Sequence, residues 1–333
     1  MTSVTTAQSK STAQPIAVLG GGAWGSALAS ALVTAGHDVR IWVRRQDMAT
    51  ALMQGRSPVL EMAIRPPRLA TTVLKEAVSG AAAVLNVLPV STTPEAITML
   101  APLIDPKTPV IWAAKGLVSG ADALIPEVAA EHWDNPSVML SGPSFADEVV
   151  AGKPAAIVAA ATDHDQALAI AGLFAGSMIR VYASPDPVGV AVGGAVKNVI
   201  AIASGMIGGL GLGDNARAAL LTRGLAETTR FAVALGGRPE TLFGLAGVGD
   251  MTLSCASPHS RNFALGMALG QGKAPSGKLA EGRFSAAVIA RRASHLGVDM
   301  PITEAVARVL EDGASITTEI ERLLSRPVES EWR

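Results

Sequence analysis

Lys197 is the side chain in this sequence best placed to move a proton. It interrupts the apolar helical pattern from Val190 to Ile202, and its neighbours at i−4, i−3 and i+4 are Gly193, Gly194 and Ala201. Burial lowers the pKa of an ammonium towards the range that suits proton transfer. The bare face around it would let another element or a ligand approach closely. We therefore favour a catalytic role over the alternative, a structural lysine in a buried ion pair.

Lys115 is a second cation with an unusual position. It follows the apolar segment from Val110 to Ala113, which is typical of a buried strand. Ligands of open α/β sheets bind beyond the carboxyl ends of the strands, so Lys115 could meet a phosphate or a carbonyl oxygen there. The alternative is a lysine that extends its ammonium to solvent.

Asp250 supplies a carboxylate on the glycine-rich segment from Leu245 to Ser254. A carboxylate there could orient Lys197 and pair with it. The alternative is that Asp250 is the N-cap of a following helix.

Two further segments could hold an anion. Ser260 is predicted to be the N-cap of a helix with Arg261 and Asn262 in its first turn, which combines side chains with free helix N–H groups. Arginine in a first turn opposes the helix dipole, so a functional reason is expected. The turn that contains Gly142 and Ser144 offers hydroxyl and N–H groups, although Ser144 could simply be a helix N-cap.

A glycine-rich turn near the N-terminus predicts a dinucleotide site. The apolar segment Ile16–Leu19 is followed by Gly20, Gly22 and Gly25 in the spacing GxGxxG, and then by an Ala/Leu-rich helical pattern. This strand–turn–helix context is the one that the motif requires to place a pyrophosphate at a helix N-terminus.

The next strand indicates which dinucleotide is bound. An NAD site usually has an acidic residue about 20 residues after the glycines, whereas an NADP site has arginine. This chain has Arg44 and Arg45 there, and the nearest acidic residue is Asp47. We favour NADP and leave NAD open, and the alternative is that both arginines are simply solvated.

The composition limits the classes of function. The chain has 333 residues, 27 Lys and Arg against 28 Asp and Glu, five His and a single cysteine, Cys255. The balanced charge does not favour a nucleic-acid partner. The single cysteine excludes an intramolecular disulfide and is typical of a cytoplasmic protein. The histidines show no metal-ligand spacing, so no metal is expected.

Hydrophobic patterning predicts a doubly wound, mostly parallel α/β sheet (a Rossmann fold) followed by an all-helical domain. The predicted strands are Ile16–Leu19, Val39–Val43, Ala83–Leu88, Pro109–Ala113, Val138–Leu140, Ala156–Ala160 and Ile179–Tyr182. The predicted helices of the second domain are 188–208, 214–236, 260–270, 284–296, 302–311 and 315–325. We predict a disordered tail over 1–14, a dinucleotide-binding domain over 15–184 and a helical domain over 185–333. The apolar stretch 187–213 is interpreted as a core helix, not a membrane span, because Lys197 and Asn198 lie within it.

Taken together and in order, these motifs resemble the bacterial type of NAD(P)-dependent glycerol-3-phosphate dehydrogenase. The matching stretches cover nearly the whole chain after the tail. They are GGGAWGSALA (20–29), WAAKGL (112–117), SGPSFADEV (141–149), VGGAVKNVIAIASGM (192–206), NARAALLTRGLAE (215–227), AGVGDMTLSC (246–255), SRN (260–262), AEG (280–282) and MPITE (300–304).

The resemblance implies a role for each matching residue. Lys197 would be the proton donor and acceptor, and Lys115 would touch both cofactor and substrate. The substrate positions would be Gly142, Ser144, Asp250, Ser260, Arg261 and Asn262. The cofactor positions would be Gly20, Gly22, Ala23, Trp24, Gly25, Arg44, Ala146, Arg261, Leu279 and Glu281, with Ala23 where the family usually has serine.

The implied activity is reversible reduction of dihydroxyacetone phosphate to sn-glycerol 3-phosphate with NADPH or NADH, in support of glycerophospholipid synthesis. Two alternatives remain open from the sequence: a related two-domain hydroxy-acid dehydrogenase, and a non-catalytic protein that senses NADPH. We expect a small phosphate substrate, a cytoplasmic location and a homodimer, with neither nucleic acid nor an integral membrane span.

Overall fold

The structure is a computed structural model that describes residues 14–118, 120–274, 282–328 and 330. Its strands are β1 (Ile16–Leu19), β2 (Val39–Trp42), β3 (Arg56–Ser57), β4 (Met62–Ala63), β5 (Leu69–Thr71), β6 (Ala83–Asn86), β7 (Val110–Trp112), β8 (Leu117–Val118), β9 (Ala123–Leu124), β10 (Ser137–Ser141), β11 (Ala155–Ala160) and β12 (Ile179–Ser184).

The helices divide at the end of β12. Those before it are α1 (Ala23–Thr34), α2 (Gln46–Met53), α3 (Leu74–Val78), α4 (Thr93–Leu100), α5 (Ile125–His132), α6 (Ala146–Val150) and α7 (His164–Gly172), with a 3₁₀ turn at Val90–Thr92. Those after it are α8 (Pro187–Gly209), α9 (Gly213–Ala234), α10 (Pro239–Leu242), α11 (Asp250–Ala256), α12 (Arg261–Gly270), α13 (Gly282–His295), α14 (Pro301–Glu311) and α15 (Ile316–Leu324), with a π-turn at Leu245–Gly249.

Eight strands form one sheet in the order β12-β11-β10-β7-β6-β1-β2-β5. From β5 to β10 all neighbours are parallel, and β11 pairs antiparallel with β10. The strand order reverses between β1 and β6, and this is where doubly wound folds bind a dinucleotide. The predicted sheet and helical C-terminal domain are therefore confirmed, although the edge strand β5 and the two short hairpins were not predicted.

The sheet buries both faces, as a mostly parallel sheet must. Along β1, Ile16 and Val18 face one core and Ala17 and Leu19 face the other. The second of these cores continues into the helical domain through α8. The sheet and the helical domain thus share one continuous apolar core, which holds the strand ends against α8.

The helix α8 is the only described helix that is long and apolar enough to cross a membrane. In the structure, 94% of its apolar window is buried inside the protein, which is the burial expected of a core helix. It packs against α9, α11, α12 and α13 and reaches the end of β10. Lys197 lies midway along it and is 7% exposed.

Two predictions fall largely outside the described residues. The predicted tail over 1–14 is described only at Gln14, and the cofactor positions Leu279 and Glu281 lie in the undescribed segment 275–281.

Candidate functional site

Lys197 forms a buried ion pair with Asp250. Its Nζ lies 2.5 Å from Asp250 Oδ1, and Asp250 is 1% exposed. Burial is the largest influence on Lys197 and lowers its pKa to about 8, helped by the nearby charge of Lys115 and opposed by Asp250. The group is therefore dry, paired and poised close to neutral pH. Lys197 is therefore in a buried ion pair, as expected for a structural lysine, and it also has the lowered pKa expected for a catalytic one.

Lys115 reaches the same carboxylate from the carboxyl end of β7. Its Nζ lies 2.6 Å from Asp250 Oδ2 and donates a second hydrogen bond to the Gly142 carbonyl oxygen, at 3.2 Å. The alternative of a solvated lysine is wrong, because this side chain is only 17% exposed and its ammonium points inward. Asp250 thus bridges two ammonium groups, that of Lys115 from the sheet and that of Lys197 from α8.

Ser254 completes the contacts of Lys197 and was not predicted as a site residue. Its Oγ accepts a hydrogen bond from Lys197 Nζ at 2.9 Å, and the residue is 5% exposed. The signal was its spacing, because Ser254 follows Asp250 by four residues and lies one helical turn along the same face of α11.

Asp250 is the first residue of α11, and the N-cap position belongs to Gly249. The alternative that Asp250 is an N-cap is therefore wrong, and both of its oxygens face lysines instead of helix N–H groups. The π-turn Leu245–Gly249 presents the carboxylate to α8, and this turn is close-packed: a Cβ on Gly247 would lie 2.0 Å from the Leu242 carbonyl oxygen.

The predicted turn at Gly142 and Ser144 lies beside Lys115. Gly142 has φ +143°, and a Cβ there would lie 2.8 Å from the Ile157 Cα, so this position requires glycine. Ser144 is not an N-cap, contrary to the alternative, because α6 begins later and Phe145 occupies that position. Its hydroxyl instead donates to the Gly142 carbonyl oxygen at 3.2 Å.

The predicted anion site lies at the start of α12. Ser260 is its N-cap, as predicted, and its Oγ accepts from the Phe263 N–H at 3.4 Å. Arg261 is exposed in the first turn. Asn262 is buried, and its amide donates to Asn198 Oδ1 at 2.9 Å and accepts from the Gly282 N–H at 3.0 Å. Through these two hydrogen bonds the Asn262 amide joins α8 to the start of α13.

The glycine turn has the shape that a pyrophosphate requires. Gly20 has φ +108°, and a Cβ on Gly25 would lie 1.9 Å from the Gly20 carbonyl oxygen, so neither position accepts another residue without rearrangement. A Cβ on Gly22 would meet nothing within 4 Å, so the backbone is open at the N-terminus of α1. Within the described residues, the first turn of α1 has neither an acidic side chain nor a side-chain cap, so its N–H groups are available to an anion.

The remaining predicted cofactor positions surround this turn. Ala23 and Trp24 begin α1, and both are partly buried. Arg44 and Arg45 are exposed after β2, which pairs with β1, and Arg45 contacts Asp47 at 3.1 Å. Ala146 begins α6, which packs against α1. Among the described residues, no cluster of three or more His, Cys, Asp or Glu side chains could hold a metal ion.

Comparisons with known proteins match this architecture along nearly the whole chain. Residues 15–167 match the family model of the NAD-dependent glycerol-3-phosphate dehydrogenase N-terminus, and residues 186–321 match that of its C-terminus. A glycerol-3-phosphate dehydrogenase [NAD(P)+] of Mesorhizobium japonicum is 44% identical over 320 residues, which are 95% of this chain and 93% of that protein. The enzyme of the same name from Methylobacterium radiotolerans is 45% identical over 95% of this chain and 98% of its own.

A solved structure agrees with these sequences. Glycerol-3-phosphate dehydrogenase from Coxiella burnetii superposes with a TM-score of 0.86 at 37% sequence identity, over 94% of this chain and 99% of that one. The resemblance inferred from the motifs is confirmed at both the sequence and the structural level. The chain belongs to the NAD-dependent glycerol-3-phosphate dehydrogenase family.

Proposed function

We propose that this protein is an NAD(P)-dependent glycerol-3-phosphate dehydrogenase that reversibly reduces dihydroxyacetone phosphate to sn-glycerol 3-phosphate. One observation carries the proposal: the buried carboxylate of Asp250 holds the ammonium groups of Lys197 and Lys115 together. Among the described residues each ammonium donates two hydrogen bonds, which leaves each of them one N–H for a substrate oxygen.

Lys197 is assigned the proton transfer. Reduction of the ketone at C2 creates an alkoxide that needs one proton, and in the reverse direction the hydroxyl must lose it. A pKa of about 8 suits both directions, because an acid or base is most effective when its pKa is close to the working pH. Burial favours the loss of the Lys197 proton, and the charge of Asp250 opposes that loss by raising the pKa of Lys197. Lys115 adds positive charge that would stabilise the developing oxyanion.

The phosphate end of the substrate is assigned to the start of α12. Arg261 is exposed there, and the helix N-terminus provides free N–H groups beside the Ser260 cap. A bound phosphate would fix the position of C2, and such fixing is a large part of catalysis for a small substrate. We include Gly142, Ser144 and Asn262 among the substrate positions, because they lie beside Lys115 or within this helix turn.

The residues around the glycine turn fit a dinucleotide. Gly20, Gly22 and Gly25 provide the close backbone approach, while Ala23 and Trp24 begin the helix that faces the pyrophosphate. NADPH or NADH, when bound, supplies the hydride. We assign this binding to the domain 15–184 and the proton transfer and phosphate binding to the domain 185–333, with Lys115, Gly142 and Ser144 contributed to the substrate site by the first domain.

We propose a preference for NADP over NAD. Arg44 and Arg45 follow β2 at the place where the ribose of the dinucleotide lies in this fold, and guanidinium groups bind phosphate well. The relatives named above are described as NAD(P)+ enzymes, which fits the use of either cofactor. Ala146, Leu279 and Glu281 remain further cofactor positions in this proposal.

The direct test is oxidation of NADPH and of NADH followed by absorbance, with dihydroxyacetone phosphate and with small oxo acids as rival substrates. We expect turnover with dihydroxyacetone phosphate and little with the oxo acids. Lys197→Met should lower turnover about 100-fold or more while NADPH still binds. Its control is Lys107→Met, an exposed lysine before the amino end of β7. Turnover of Lys197→Met within a few-fold of the parent would refute the assigned role.

The cellular role extends the same proposal. We propose that the product supplies glycerophospholipid synthesis in the cytoplasm, where the buried free thiol of Cys255 would stay reduced. In cell extracts, depletion of the protein should abolish lipid labelling from labelled dihydroxyacetone phosphate and leave labelling from glycerol 3-phosphate intact; unchanged labelling from dihydroxyacetone phosphate would contradict this role. We also propose a homodimer, since the helical domain exposes large apolar side chains such as Phe243 and Phe284. Sedimentation velocity measures that state directly.

A further inference from the structure

Two adjacent glycines of α8 lie on the same face as Lys197. Gly193 and Gly194 precede it by four and three residues, and all three are buried. Long side chains on a helix lean towards its N-terminus over the residues at i−4 and i−3. The stem of Lys197 therefore extends over a surface that carries no side chains.

Gly193 meets the backbone of the π-turn. A Cβ added there would lie 2.3 Å from the Ala246 carbonyl oxygen and 3.0 Å from its carbonyl carbon. No real Cβ approaches backbone so closely, so a side chain at this position would push the turn away. Asp250 follows this turn directly, and its carboxylate lies 2.5 Å from Lys197 Nζ.

Gly194 meets a different part of the site. A Cβ added there would lie 3.3 Å from Lys115 Cγ and 3.1 Å from Ser141 Oγ. These are side-chain atoms at tight contact distance, and the Lys115 stem is flexible. A side chain at Gly194 would therefore push both the Ser141 hydroxyl and the Lys115 stem away by a few tenths of an ångström, and its nearest contacts include no atom of the π-turn.

We propose that Gly193 and Gly194 are positioning residues with separate roles. Gly193 lets the π-turn approach α8 closely enough for Asp250 to contact Lys197, and Gly194 leaves the space in which the Lys115 side chain lies beside them. The inference rests on the proposed function, because it assigns these glycines to the proton-transfer site of that reaction. Neither glycine touches the substrate in this scheme, and each acts through the charged side chain that it admits.

The two roles have opposite electrostatic consequences. Among the residues that the structure describes, the charged and titratable side chains that face Lys197 are Asp250, Lys115 and the Cys255 thiol. Burial raises the pKa of that thiol to about 12, so it stays neutral. Asp250 raises the pKa of Lys197, and Lys115 lowers it. A retreat of Asp250 therefore lowers this pKa, whereas a retreat of Lys115 raises it.

The experiment compares Gly193→Ala and Gly194→Ala with the parent protein. The kcat for reduction of dihydroxyacetone phosphate is measured from pH 6 to pH 10 at saturating NADPH. In the parent, kcat should fall above a pH of about 8, as Lys197 loses its proton. We expect the fall to move to lower pH in Gly193→Ala and to higher pH in Gly194→Ala, each by about half a pH unit, a threefold change in proton affinity.

The matched control is Gly208→Ala, the same change on the same helix. A Cβ there would lie 2.9 Å from Met267 Cε, the end of a flexible side chain remote from the lysines, so its profile should match that of the parent. A merely structural role for the two glycines would lower stability or kcat without moving the profile. Unmoved profiles, or shifts of both variants in one direction, would overturn the proposal.

The proposal can still be tested if Gly193→Ala does not fold or if the parent protein is inactive. If Gly193→Ala does not fold, Gly194→Ala decides alone, and its profile must move to higher pH. If the folded parent does not reduce dihydroxyacetone phosphate, the proposed function fails, and the free energy of unfolding between pH 8 and 10.5 is measured instead. It should rise with pH there, because the unfolded chain holds a proton that folded Lys197 has lost. The onset of the rise should move in the two directions given above, and an unmoved onset would overturn the positioning roles.

Discussion

Glu227 gives a prediction for stability that is independent of the catalytic site. This carboxylate on α9 is 1% exposed and accepts hydrogen bonds from the first residues of α14. The donors are the Ile302 N–H at 2.7 Å and the N–H and hydroxyl of Thr303, both at 3.2 Å. Burial outweighs these contacts and raises the pKa of Glu227 from 4.5 to about 7, although the charge of Arg230 also opposes the rise.

The sign and the size follow from proton linkage. Between pH 4.5 and 7 the folded protein holds a proton on Glu227 that the unfolded chain has lost, so stability falls as the pH rises through this range. A tenfold difference in proton affinity corresponds to about 1.4 kcal/mol, so the change in pKa corresponds to about 3 kcal/mol over the whole range. The contribution of Glu227 is most favourable below pH 4.5 and least favourable above pH 7.

Glu227→Gln removes this titration and keeps the shape of the side chain. Urea unfolding of both proteins at several pH values between 5 and 8 gives the difference in their free energies of unfolding. Relative to the variant, the parent should lose about 2 to 3 kcal/mol across this range. Glu321→Gln, on the exposed face of α15, is the control and should show no such trend. A difference between parent and Glu227→Gln that stays constant with pH would refute the reasoning.

Three predictions concern the proposed site. Asp250→Asn leaves the buried Lys197 ammonium without its counter-charge. The free energy of unfolding measured in urea should therefore fall by about 3 to 5 kcal/mol. The kcat at pH 8, measured by steady-state kinetics, should also fall. Arg261→Ala should raise the KM for dihydroxyacetone phosphate about 10- to 100-fold, as steady-state kinetics at saturating NADPH would measure, and an unchanged KM would remove Arg261 as the phosphate anchor. Arg44→Ala should lower kcat/KM about tenfold with NADPH and leave it nearly unchanged with NADH; equal losses would contradict a phosphate contact.

The elements that the sequence predicted well depend on short-range interactions. The turn at Gly20 and Gly25 follows from steric limits on a few neighbouring atoms, and the strand β1 and the helix α8 follow from continuous apolar patterns. The edge strand β5 was missed because it has only three residues, Leu69–Thr71, and hence almost no pattern. The antiparallel direction of β11 was not predicted, because strand direction depends on the path of the whole chain.

The fold class and the dinucleotide turn could be read from local patterns alone. Lys197 could be singled out in the same way, because a lysine within an apolar helix is costly wherever that helix packs. The pairing of one carboxylate with two lysines required the folded molecule, since Asp250 lies 135 residues from Lys115 and 53 from Lys197 along the chain. The folded molecule also shows that Ser144 is not a cap and that the Asn262 amide joins two helices. Side-chain partners of this kind depend on how the sheet and α8 pack together, and no local pattern encodes that packing.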